Sequence, residues 1–416
     1  MTDSTVVLDR QSRNNFSGRL QARTVRDYLN TPVAFRNIAK NYATPLLIGP
    51  PLCDELVALV QHMYSEEEAA LTQHIKSPLG ITAREIARKE HLPVARVIAV
   101  LDRLIAEKGI LLSIGSGFNK RYCLIPLIPG AFEMSLVHTS IIAVNGWHKR
   151  FAELFEALFE TGFISSYTSR PLSAVRYLPV GQSIMANQMA LPSDCLDEVF
   201  SRYKTFGAGL CQCRSARSMV SGSCGKLMET CISFGSLAEM LVAKGRLRRI
   251  DRQEAIAIKR EAEENGLPTF LLEVDLGFTN SGTSCSCCGD CCYALRTMNE
   301  FNRPGIIAPP HFLPVLQSDR CTGCRQCIQV CPMGAITFSI ETLTPVYNAE
   351  RCIGCGLCAV KCGSTQAINM KALPNYHRPP RLFTTMLLRN SPNYILNAIN
   401  NWRRYIQDTP RAIDQG

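Results

Sequence analysis

The sequence predicts an α+β protein of several domains, and three observations support this fold class. A helix–turn–helix pattern followed by a hairpin pattern fills about residues 65–126. Amphipathic helical segments and nine clustered cysteines follow within 139–311, and one run of four cysteines then occurs twice within 312–371. The length of 416 residues suits about two to four domains. We divide the chain into an extended or disordered arm (1–48), a helix–turn–helix–hairpin domain (49–138), a mostly helical cysteine-rich domain (139–311), a small domain with both cysteine runs (312–371), and a linker with an amphipathic docking tail (372–416).

The first 48 residues are polar and rich in arginine, and they show no clear hydrophobic period. Segments of this kind cannot bury enough apolar surface to fold alone. We expect an arm that becomes ordered on a partner or stays disordered.

The second region carries clear helix and turn signals. Ser65-Glu66-Glu67-Glu68 is a capping box that begins one helix, and Thr82 caps the next. A third helical segment runs from Val94 to Gly109, and apolar segments on either side of Gly115-Ser116-Gly117 predict a β-hairpin. Helix, turn, helix and hairpin in this order predict a winged helix.

A winged helix raises the question of DNA binding. A helix that reads bases presents Arg, Lys, Asn or Gln to the base edges. The helix after Pro93 does not, since its polar side chains are few and of mixed sign. They are Arg96, Asp102, Arg103, Glu107 and Lys108. We therefore expect a protein-docking or purely structural role, and DNA binding is disfavoured.

The middle region reads as helical. GWHKRFAELFEALFETG, which begins at Gly146, places several phenylalanines and leucines on one face, which predicts a core stripe. Two further amphipathic segments, at 236–245 and 251–268, end near glycines. We expect a helical hairpin across 232–272 that brings two groups of cysteines together. These groups are Cys211, Cys213, Cys224 and Cys231, and Cys285, Cys287, Cys288, Cys291 and Cys292.

The C-terminal runs carry the strongest signal. Each has the spacing C-x2-C-x2-C-x3-C, which is typical of proteins that hold two [4Fe-4S] clusters, with the fourth cysteine of each run bound to the other cluster. Zinc also takes C-x-x-C pairs, but zinc explains neither the third cysteine nor the duplication. The predicted ligands are Cys321, Cys324, Cys327 and Cys362 for one cluster, and Cys331, Cys352, Cys355 and Cys358 for the other.

Nine thiols that converge upstream would be reactive without a metal. Three interpretations stay open: one further [4Fe-4S] cluster, two further clusters with one in each group, or zinc, a redox disulfide or a non-cubane cluster. The first two interpretations, which we favour, give a total of three or four [4Fe-4S] clusters. Arg214 and Arg217 lie beside the first group, either as surface charge or as neighbours that raise a cluster's potential.

Residues 312–371 resemble the bacterial 2[4Fe-4S] ferredoxins over their whole length. Each half combines a cysteine loop, a short helical turn and a short strand, and Pro332 follows the first run. Gly363 stands where that family usually has proline, and Gly363-Ser364-Thr365 is one residue longer than its counterpart. The difference bears on the solvation and potential of one cluster.

Residues 65–371 also resemble a family of larger 4Fe-4S ferredoxin-like proteins of anaerobes. Its pattern is a winged-helix segment, a C-x-C-R block with two later cysteines, a CC-rich block and a two-cluster ferredoxin. The resemblance implies electron transfer. The matching residues are Pro129 to Glu133, Arg176 to Val180, Cys211-Gln212-Cys213-Arg214, Cys224, Cys231 to Gly235, and Cys285 to Cys292.

The tail is basic and amphipathic after the proline-broken linker ALPNYHRPPR. Its apolar residues alternate with Arg389, Arg403 and Arg404, and Trp402 lies beside the last two. We expect it to dock a partner. The alternatives are peripheral contact with the cytoplasmic face of a membrane and packing against its own domain.

Composition points to the cytoplasm. The N-terminus has no apolar run behind its charges, and no stretch reaches the ~18 apolar residues of a membrane span. Metal-ligand spacings require reduced cysteines, which excludes a disulfide scaffold. The formal charge of +10 largely offsets three or four anionic clusters, so it is weak evidence for nucleic acid.

Together these patterns predict an electron-transfer subunit or dedicated donor of a larger anaerobic redox system, rather than an independent enzyme. It would pass single electrons along its clusters between redox protein partners, a donor and an acceptor, in a stable complex. One alternative is an iron–sulfur redox-sensing DNA-binding regulator. Another is a reductase with its active site in the upstream cysteines. The sequence has no G-x-G-x-x-G after a strand and no Walker motif, so it does not predict binding of NAD or ATP.

Overall fold

The computed structural model contains two compact units, which we describe separately. The first comprises the described parts of Met1–Leu136, Val144–Tyr167 and Tyr394–Gly416, and the second the described parts of Val137–Ala143 and Thr168–Asn393. Most of the predicted docking tail lies outside the described residues. The structure describes residues 22–44, 47, 49–76, 80–140, 143–164, 176–184, 191, 194–275, 280–301, 307–376 and 399.

The first unit is mainly helical, with one small antiparallel sheet in which β3 lies between β1 and β2. Its elements are α1 (Val33–Tyr42), α2 (Asp54–Met63), α3 (Glu66–Thr72), β1 (Ile81–Thr82), α4 (Ala83–Glu90), α5 (Val94–Glu107), β2 (Leu111–Ile114), β3 (Arg121–Leu124), α6 (Phe132–Leu136) and α7 (Gly146–Glu160).

Helix α7 forms the core stripe that its sequence predicts. The five apolar side chains on its predicted inner face are all at most 3% exposed, and Phe155 packs on Phe132 of α6. Trp147 stacks between His62 of α2 and Phe151. The five side chains are Phe151, Leu154, Phe155, Leu158 and Phe159.

The predicted caps are confirmed. Ser65 accepts a hydrogen bond from the Glu68 amide while the Glu68 carboxylate accepts one from the Ser65 amide. Thr82 and Glu85 form the same reciprocal pair at the start of α4. Helices α4 and α5 and the β2–β3 hairpin follow in the predicted order.

The prediction of an extended arm is wrong for residues 25–42. Val25–Tyr28 forms a 3-10 turn and α1 follows, with Phe35, Ile38 and Tyr42 buried. These apolar positions recur at helical spacing, but the arginines around them hide the period. The Tyr42 hydroxyl also lies 3.0 Å from the buried Tyr64 hydroxyl, which ties α1 to the chain after α2.

The second unit contains, within its described residues, a six-stranded antiparallel sheet of order β4-β8-β9-β6-β5-β7. The strands of this sheet and the helices between and after them are, in chain order, β4 (Arg176–Leu178), α8 (Gly181–Ile184), α9 (Leu196–Phe200), β5 (Phe206–Leu210), α10 (Gln212–Val220), β6 (Glu229–Gly235), α11 (Ser236–Ala243), β7 (Arg248–Ile250), α12 (Arg252–Glu264), β8 (Thr269–Asp275), β9 (Asn280–Ser284) and α13 (Tyr293–Phe301).

The prediction of a mostly helical middle domain is therefore wrong, although α11 and α12 lie where helices were expected. Strand β6 is buried on both faces, so its residues do not alternate and its period is ambiguous. Strand β5 contains Gly207 and Gly209 because a Cβ at Gly209 would lie 2.5 Å from the Leu247 side chain. Neither strand carries a recognisable strand signal.

The C-terminal part of this unit is a pair of small antiparallel sheets, β10–β13 and β11–β12, with one short helix in each half. This matches the loop, helical turn and strand predicted for each cysteine run. Among the described helices, none is long and apolar enough to cross a membrane. The elements are β10 (Phe312–Leu316), α14 (Gln326–Val330), β11 (Ile336–Ser339), β12 (Thr344–Tyr347), α15 (Leu357–Cys362) and β13 (Ile368–Ala372).

Candidate metal centres

The first cavity of the C-terminal part lies under the loop that precedes α14. Four thiols line it, three from this loop and α14 and the fourth from the end of α15. The remaining wall is mostly apolar. Cys324 is exposed, so this cavity lies at the protein surface. We call its cysteines the outer set: Cys321, Cys324, Cys327 and Cys362.

The second cavity is lined in the same way, by four thiols in an apolar wall. Burial raises the pKa of Cys352 to about 11 and that of Cys358 to about 12. These thiols would keep their protons at neutral pH unless a metal replaced them. We call its cysteines the inner set: Cys331, Cys352, Cys355 and Cys358.

The structure thus brings together the two crossed sets that the spacing predicts. The fourth cysteine of each run faces the cavity of the other run, because α14 and α15 pack against each other. Which thiol binds which cluster stays a prediction, and the two cavities support it.

A buried hydroxyl without a partner tests whether these cavities fit an anionic metal–sulfur group. Tyr347 lines the inner cavity, and its hydroxyl has no hydrogen-bond partner. An unpaired buried donor costs about 1–3 kcal/mol. Burial, and then the nearby sulfurs of Cys358 and Cys327, raise the pKa of Tyr347, so the hydroxyl keeps its proton. A sulfur acceptor in the cavity would satisfy it, and the site therefore fits a [4Fe-4S] cluster.

The extra residue after Cys362 has a structural role. Gly363 adopts a left-handed φ of +52° and begins a 3-10 turn over Gly363–Thr365. The turn places the Thr365 hydroxyl 3.2 Å from the Cys362 sulfur. The same hydroxyl donates to the Cys362 carbonyl at 3.1 Å. If the Cys362 sulfur binds iron as a thiolate, it can only accept, and a hydrogen bond from the hydroxyl would raise the potential of the bound cluster.

Comparison with protein families agrees with this geometry. Residues 313–363 match the family described as the 4Fe-4S dicluster domain. This segment is an iron–sulfur, ferredoxin-like domain. The dicluster domain accounts for at least two [4Fe-4S] clusters and includes all eight cysteines of the outer and inner sets. No curated protein and no solved structure matches the chain.

The nine upstream cysteines, which we call the upstream field, gather at one end of the six-stranded sheet. Cys211 follows β5, Cys231 lies near the start of β6, and Cys285 follows β9. Because β6 runs antiparallel to both neighbours, the ends of β5 and β9 lie beside its start. The predicted helical hairpin is therefore the wrong cause of this convergence, and the sheet is the right one.

Hydrogen bonds connect most thiols of the field. Cys231 interacts with Cys285, and Cys213 interacts with Cys211 and Cys292. Within these pairs the acceptor's pKa falls and the donor's rises: the bond from Cys285 lowers the pKa of Cys231, while the pKa of Cys285 is raised. Mutual contacts of this kind favour partial ionisation, which a metal requires of its ligands.

Polar side chains complete this environment. The Gln212 amide donates to the Cys231 sulfur at 3.1 Å. The Tyr177 hydroxyl lies 3.7 Å from the sulfur of Cys292. Gln212 and Tyr177 are both at most 5% exposed, so their contacts with sulfur are shielded from water.

Two buried cations face the field. Arg214 is 2% exposed, donates to the Ser286 carbonyl at 2.8 Å and interacts with the Cys288 sulfur. Lys259 of α12 is 1% exposed and donates to the Cys285 carbonyl and the Ser286 hydroxyl. Burial would lower the pKa of Arg214, but the cysteine sulfurs raise it above its ordinary value. Burial lowers the pKa of Lys259 to about 8.

Buried cations need counter-charges, and at this site the neighbouring sulfurs can supply them. The donor set and its charges therefore fit an anionic metal–thiolate group in the upstream field. Sequence reasoning found Arg214 through its place beside Cys213. It missed Lys259 and Tyr177, because each reaches the field from an element distant in sequence. It also missed Tyr347, which lies close to Cys352 in sequence but outside the cysteine motif.

The upstream field and the inner set pack against the same core. Cys287 and Cys292 are in one buried cluster with Met333 and Ile353 of the dicluster domain. The partly buried sulfurs of three inner-set cysteines pack against that cluster. They are Cys331, Cys352 and Cys355.

The contact between the two regions is specific. A Cβ at Gly289 would lie 2.3 Å from the Pro332 carbonyl, and Asn299 donates to that carbonyl at 3.1 Å. The Val180 amide donates to the Cys355 carbonyl at 2.9 Å. Three cysteines of the chain belong to none of these groups. Cys53 and Cys123 are buried in the first unit, and Cys195 is partly buried in the second.

Proposed function

We propose that this protein is an iron–sulfur electron-transfer protein, a subunit or dedicated donor of a larger anaerobic redox system. It would use three or four [4Fe-4S] clusters, two in the dicluster domain and the others in the upstream field. When bound, such clusters accept and donate single electrons. The cysteines of the chain supply the thiolates, the apolar walls exclude water, and the surface residues form the contact with a partner.

The observation that carries this proposal is the serial order of the three cysteine groups. The outer set reaches the surface at Cys324. Outer and inner sets share a buried cluster that contains Cys327 and Cys358. The inner set and the upstream field share the next one, around Cys287 and Cys292. This order supports a route between the surface and the interior.

The outer end of this route has an exposed apolar rim. Ile340 and Leu343, at the tip of the β11–β12 hairpin, are 84% and 65% exposed. Phe338 of the same hairpin lines the outer cavity, with the Arg325 guanidinium 4.2 Å from its ring centre. This chain thus has an apolar patch and a cationic side chain beside the outer cavity. Such a surface suits a redox partner whose own contact surface is apolar at its centre and acidic at its rim.

We also propose that the helix–turn–helix–hairpin region is a winged helix used for docking to protein. The exposed face of α5 includes Val94 and Ile98, which are 40% and 38% exposed. Arg96 is paired with Glu67 at 2.9 Å, and Lys120 of the hairpin with Asp102 at 2.6 Å. Cations held in such pairs are poorly suited to read bases, so this face favours a protein partner over DNA.

A test of the proposed function uses the full chain, purified and reconstituted without oxygen. We expect clearly more than eight irons per chain, with matching sulfide. After reduction with titanium(III) citrate, the protein should reduce cytochrome c, a one-electron acceptor, in proportion to its iron content. The same chain stripped of iron by a chelator is the control.

Three results would contradict the proposal. An iron content of eight, with only zinc in the upstream field, would exclude clusters there. Binding to a defined DNA site with a steep salt dependence would favour the regulator. Substrate turnover without any protein partner would favour the reductase instead.

A further inference from the structure

Three cysteines of the upstream field stand apart from the other six in their geometry. The sulfurs of Cys224, Cys288 and Cys291 all lie within 4.8 Å of one another. We call them the three-thiol group. Cys288 and Cys291 are buried, and Cys224 is partly exposed. Among the described residues no other cysteines form so compact a group.

The dicluster domain provides an internal comparison. All eight of its ligand cysteines are described, yet none of them forms a group of this compactness. The corners of a four-iron cube keep thiolates apart, because each thiolate binds a different iron. A single tetrahedral zinc, with Zn–S bonds of ~2.3 Å, holds its thiolates roughly 3.8 Å apart. The three-thiol group therefore matches one metal ion better than a cubane.

Local sequence and backbone agree with a single ion. Cys288-Gly289-Asp290-Cys291 is a C-x-x-C pair, a common spacing for two zinc ligands. The Cys292 amide donates to the Cys288 carbonyl at 3.1 Å and closes this turn. The third thiol comes from the loop between α10 and β6, where Gly222 and Gly225 adopt left-handed φ angles on either side of Cys224.

The charge of Arg214 is a second, independent observation. This guanidinium is 2% exposed and interacts with Cys288, and its Nε atom has no hydrogen-bond partner. Three thiolates around one divalent ion leave one net negative charge. Arg214 balances that charge, and its unpaired Nε is one further donor for the group.

We propose that Cys224, Cys288 and Cys291 bind one zinc ion, in a site separate from the [4Fe-4S] clusters. Three protein ligands leave the fourth tetrahedral position to water or a solute. Binding would release the thiol protons to solvent. Six cysteines of the upstream field then remain for iron, which is enough for one cluster and brings the total to three. The zinc site does not depend on the proposed electron transfer.

The test measures zinc, iron and acid-labile sulfide per chain in the full-length protein, purified without oxygen. Wild type should carry one zinc, and Cys291→Ser should lose that zinc while its iron, sulfide and dicluster spin resonance stay unchanged. Cys195→Ser, which removes a partly buried thiol of the same unit outside the group, should keep the zinc. Loss of about four irons with sulfide in Cys291→Ser would overturn the proposal in favour of a cluster.

Zinc K-edge X-ray absorption of the wild type gives a readout that does not depend on a variant's folding. We expect three sulfur scatterers at ~2.3 Å and one oxygen or nitrogen. Four sulfurs, or a wild type without zinc, would overturn the site. Neither outcome would affect the dicluster domain's spin resonance, so failure here is distinct from failure of the proposed function.

Discussion

Two hydroxyl groups outside the cysteine motifs should adjust the two clusters of the dicluster domain separately. Tyr347 faces the inner cavity and Thr365 contacts the outer-set ligand Cys362. A hydrogen bond to sulfur stabilises the reduced, more negative cluster. Loss of a bond worth about 1 kcal/mol lowers a one-electron midpoint potential by ~40 mV.

We therefore expect Tyr347→Phe to lower the potential of the inner cluster, and Thr365→Val that of the outer cluster, each by ~40 mV. A redox titration followed by spin resonance measures both potentials, and each variant is the control for the other. Equal shifts of both signals in either variant would contradict this assignment.

The predicted crossed ligation can be tested at Cys331. Although Cys331 belongs to the first run, it lines the cavity of Cys352 and Cys358. Cys331→Ser should therefore impair the inner cluster and leave the outer one intact. Iron counting and spin resonance measure which cluster is lost. Cys324→Ser is the matched control, which should impair the outer cluster and leave the inner one intact. Selective loss of the outer cluster in Cys331→Ser would show that ligation follows the sequence runs.

Arg214 lies deep enough for its charge to matter to stability. Removing one partner of a buried charge pair costs about 3–5 kcal/mol. Arg214→Met should lower the free energy of unfolding of the metal-loaded chain by roughly that amount, and Arg214→Lys by less. Anaerobic denaturant unfolding measures the difference. The hypothesis fails if both variants match wild type, or if the metal-free chain loses as much stability as the loaded one.

At this scale the sequence predicts which cysteines line each cavity of the dicluster domain, but it does not predict the other side chains around the cysteines. The spacing of the two runs suffices to name the outer and inner sets, because each loop is local. Lys259 reaches Cys285 from α12, and Tyr177 reaches Cys292 from β4. Contacts of this kind arise only when distant elements pack, and no local pattern encodes them.

Among the elements, the β11–β12 hairpin is the candidate docking edge. Ile340 and Leu343 are largely exposed, so exchanging them for charged residues costs little folding energy. The double variant Ile340→Asp/Leu343→Asp should slow electron exchange with the protein partner about tenfold or more, as expected when ~1.4 kcal/mol of apolar contact is lost.

Stopped-flow oxidation by the partner that co-purifies without oxygen measures this rate. Leu29→Asp, at a 70% exposed position of the first unit, is the matched control. Cluster potentials should stay unchanged in both variants. An unchanged rate in the hairpin variant would exclude this edge.

Helices proved more predictable than strands in this chain. Local signals mark α3 and α4, which each have a capping residue and a following glutamate, and an apolar period marks α5. The strands β5 and β6 carry glycine, cysteine and serine inside a sheet covered on both faces. Their paired residues lie 19 to 52 positions away, so the sheet that gathers the upstream field could not be predicted from local pattern.

At the scale of the whole molecule, part of the positive charge serves the metal-binding regions. The formal charge of +10 is spread over 45 basic and 35 acidic residues. Arg214 and Lys259 show that part of this excess is buried against the cysteines rather than displayed to a polyanion. Binding of metal and folding of the second unit should therefore be coupled, because its cavities bury thiols and cations that need each other.

The C-terminal tail is the last segment that we propose as a docking surface. Its sequence places Leu387, Leu388, Tyr394 and Ile395 near several arginines. An apolar stripe of that size promotes aggregation unless something covers it. The dicluster domain's cysteines all precede residue 363. Deleting residues 380–416 should therefore leave the cluster spectra intact and weaken the complex with the partner.

Size-exclusion chromatography without oxygen and electron delivery to the co-purifying partner measure this effect. A matched pair separates the stripe from the length of the tail: Leu388→Ser/Ile395→Ser should behave like the deletion, whereas Asn390→Ser/Asn393→Ser should behave like wild type. Loss of clusters in the truncated protein would mean that the tail packs on its own domain. A full-length chain that is monomeric, indifferent to lipid vesicles and bound to a defined DNA site would contradict docking altogether, because the apolar stripe would then have no partner to cover it.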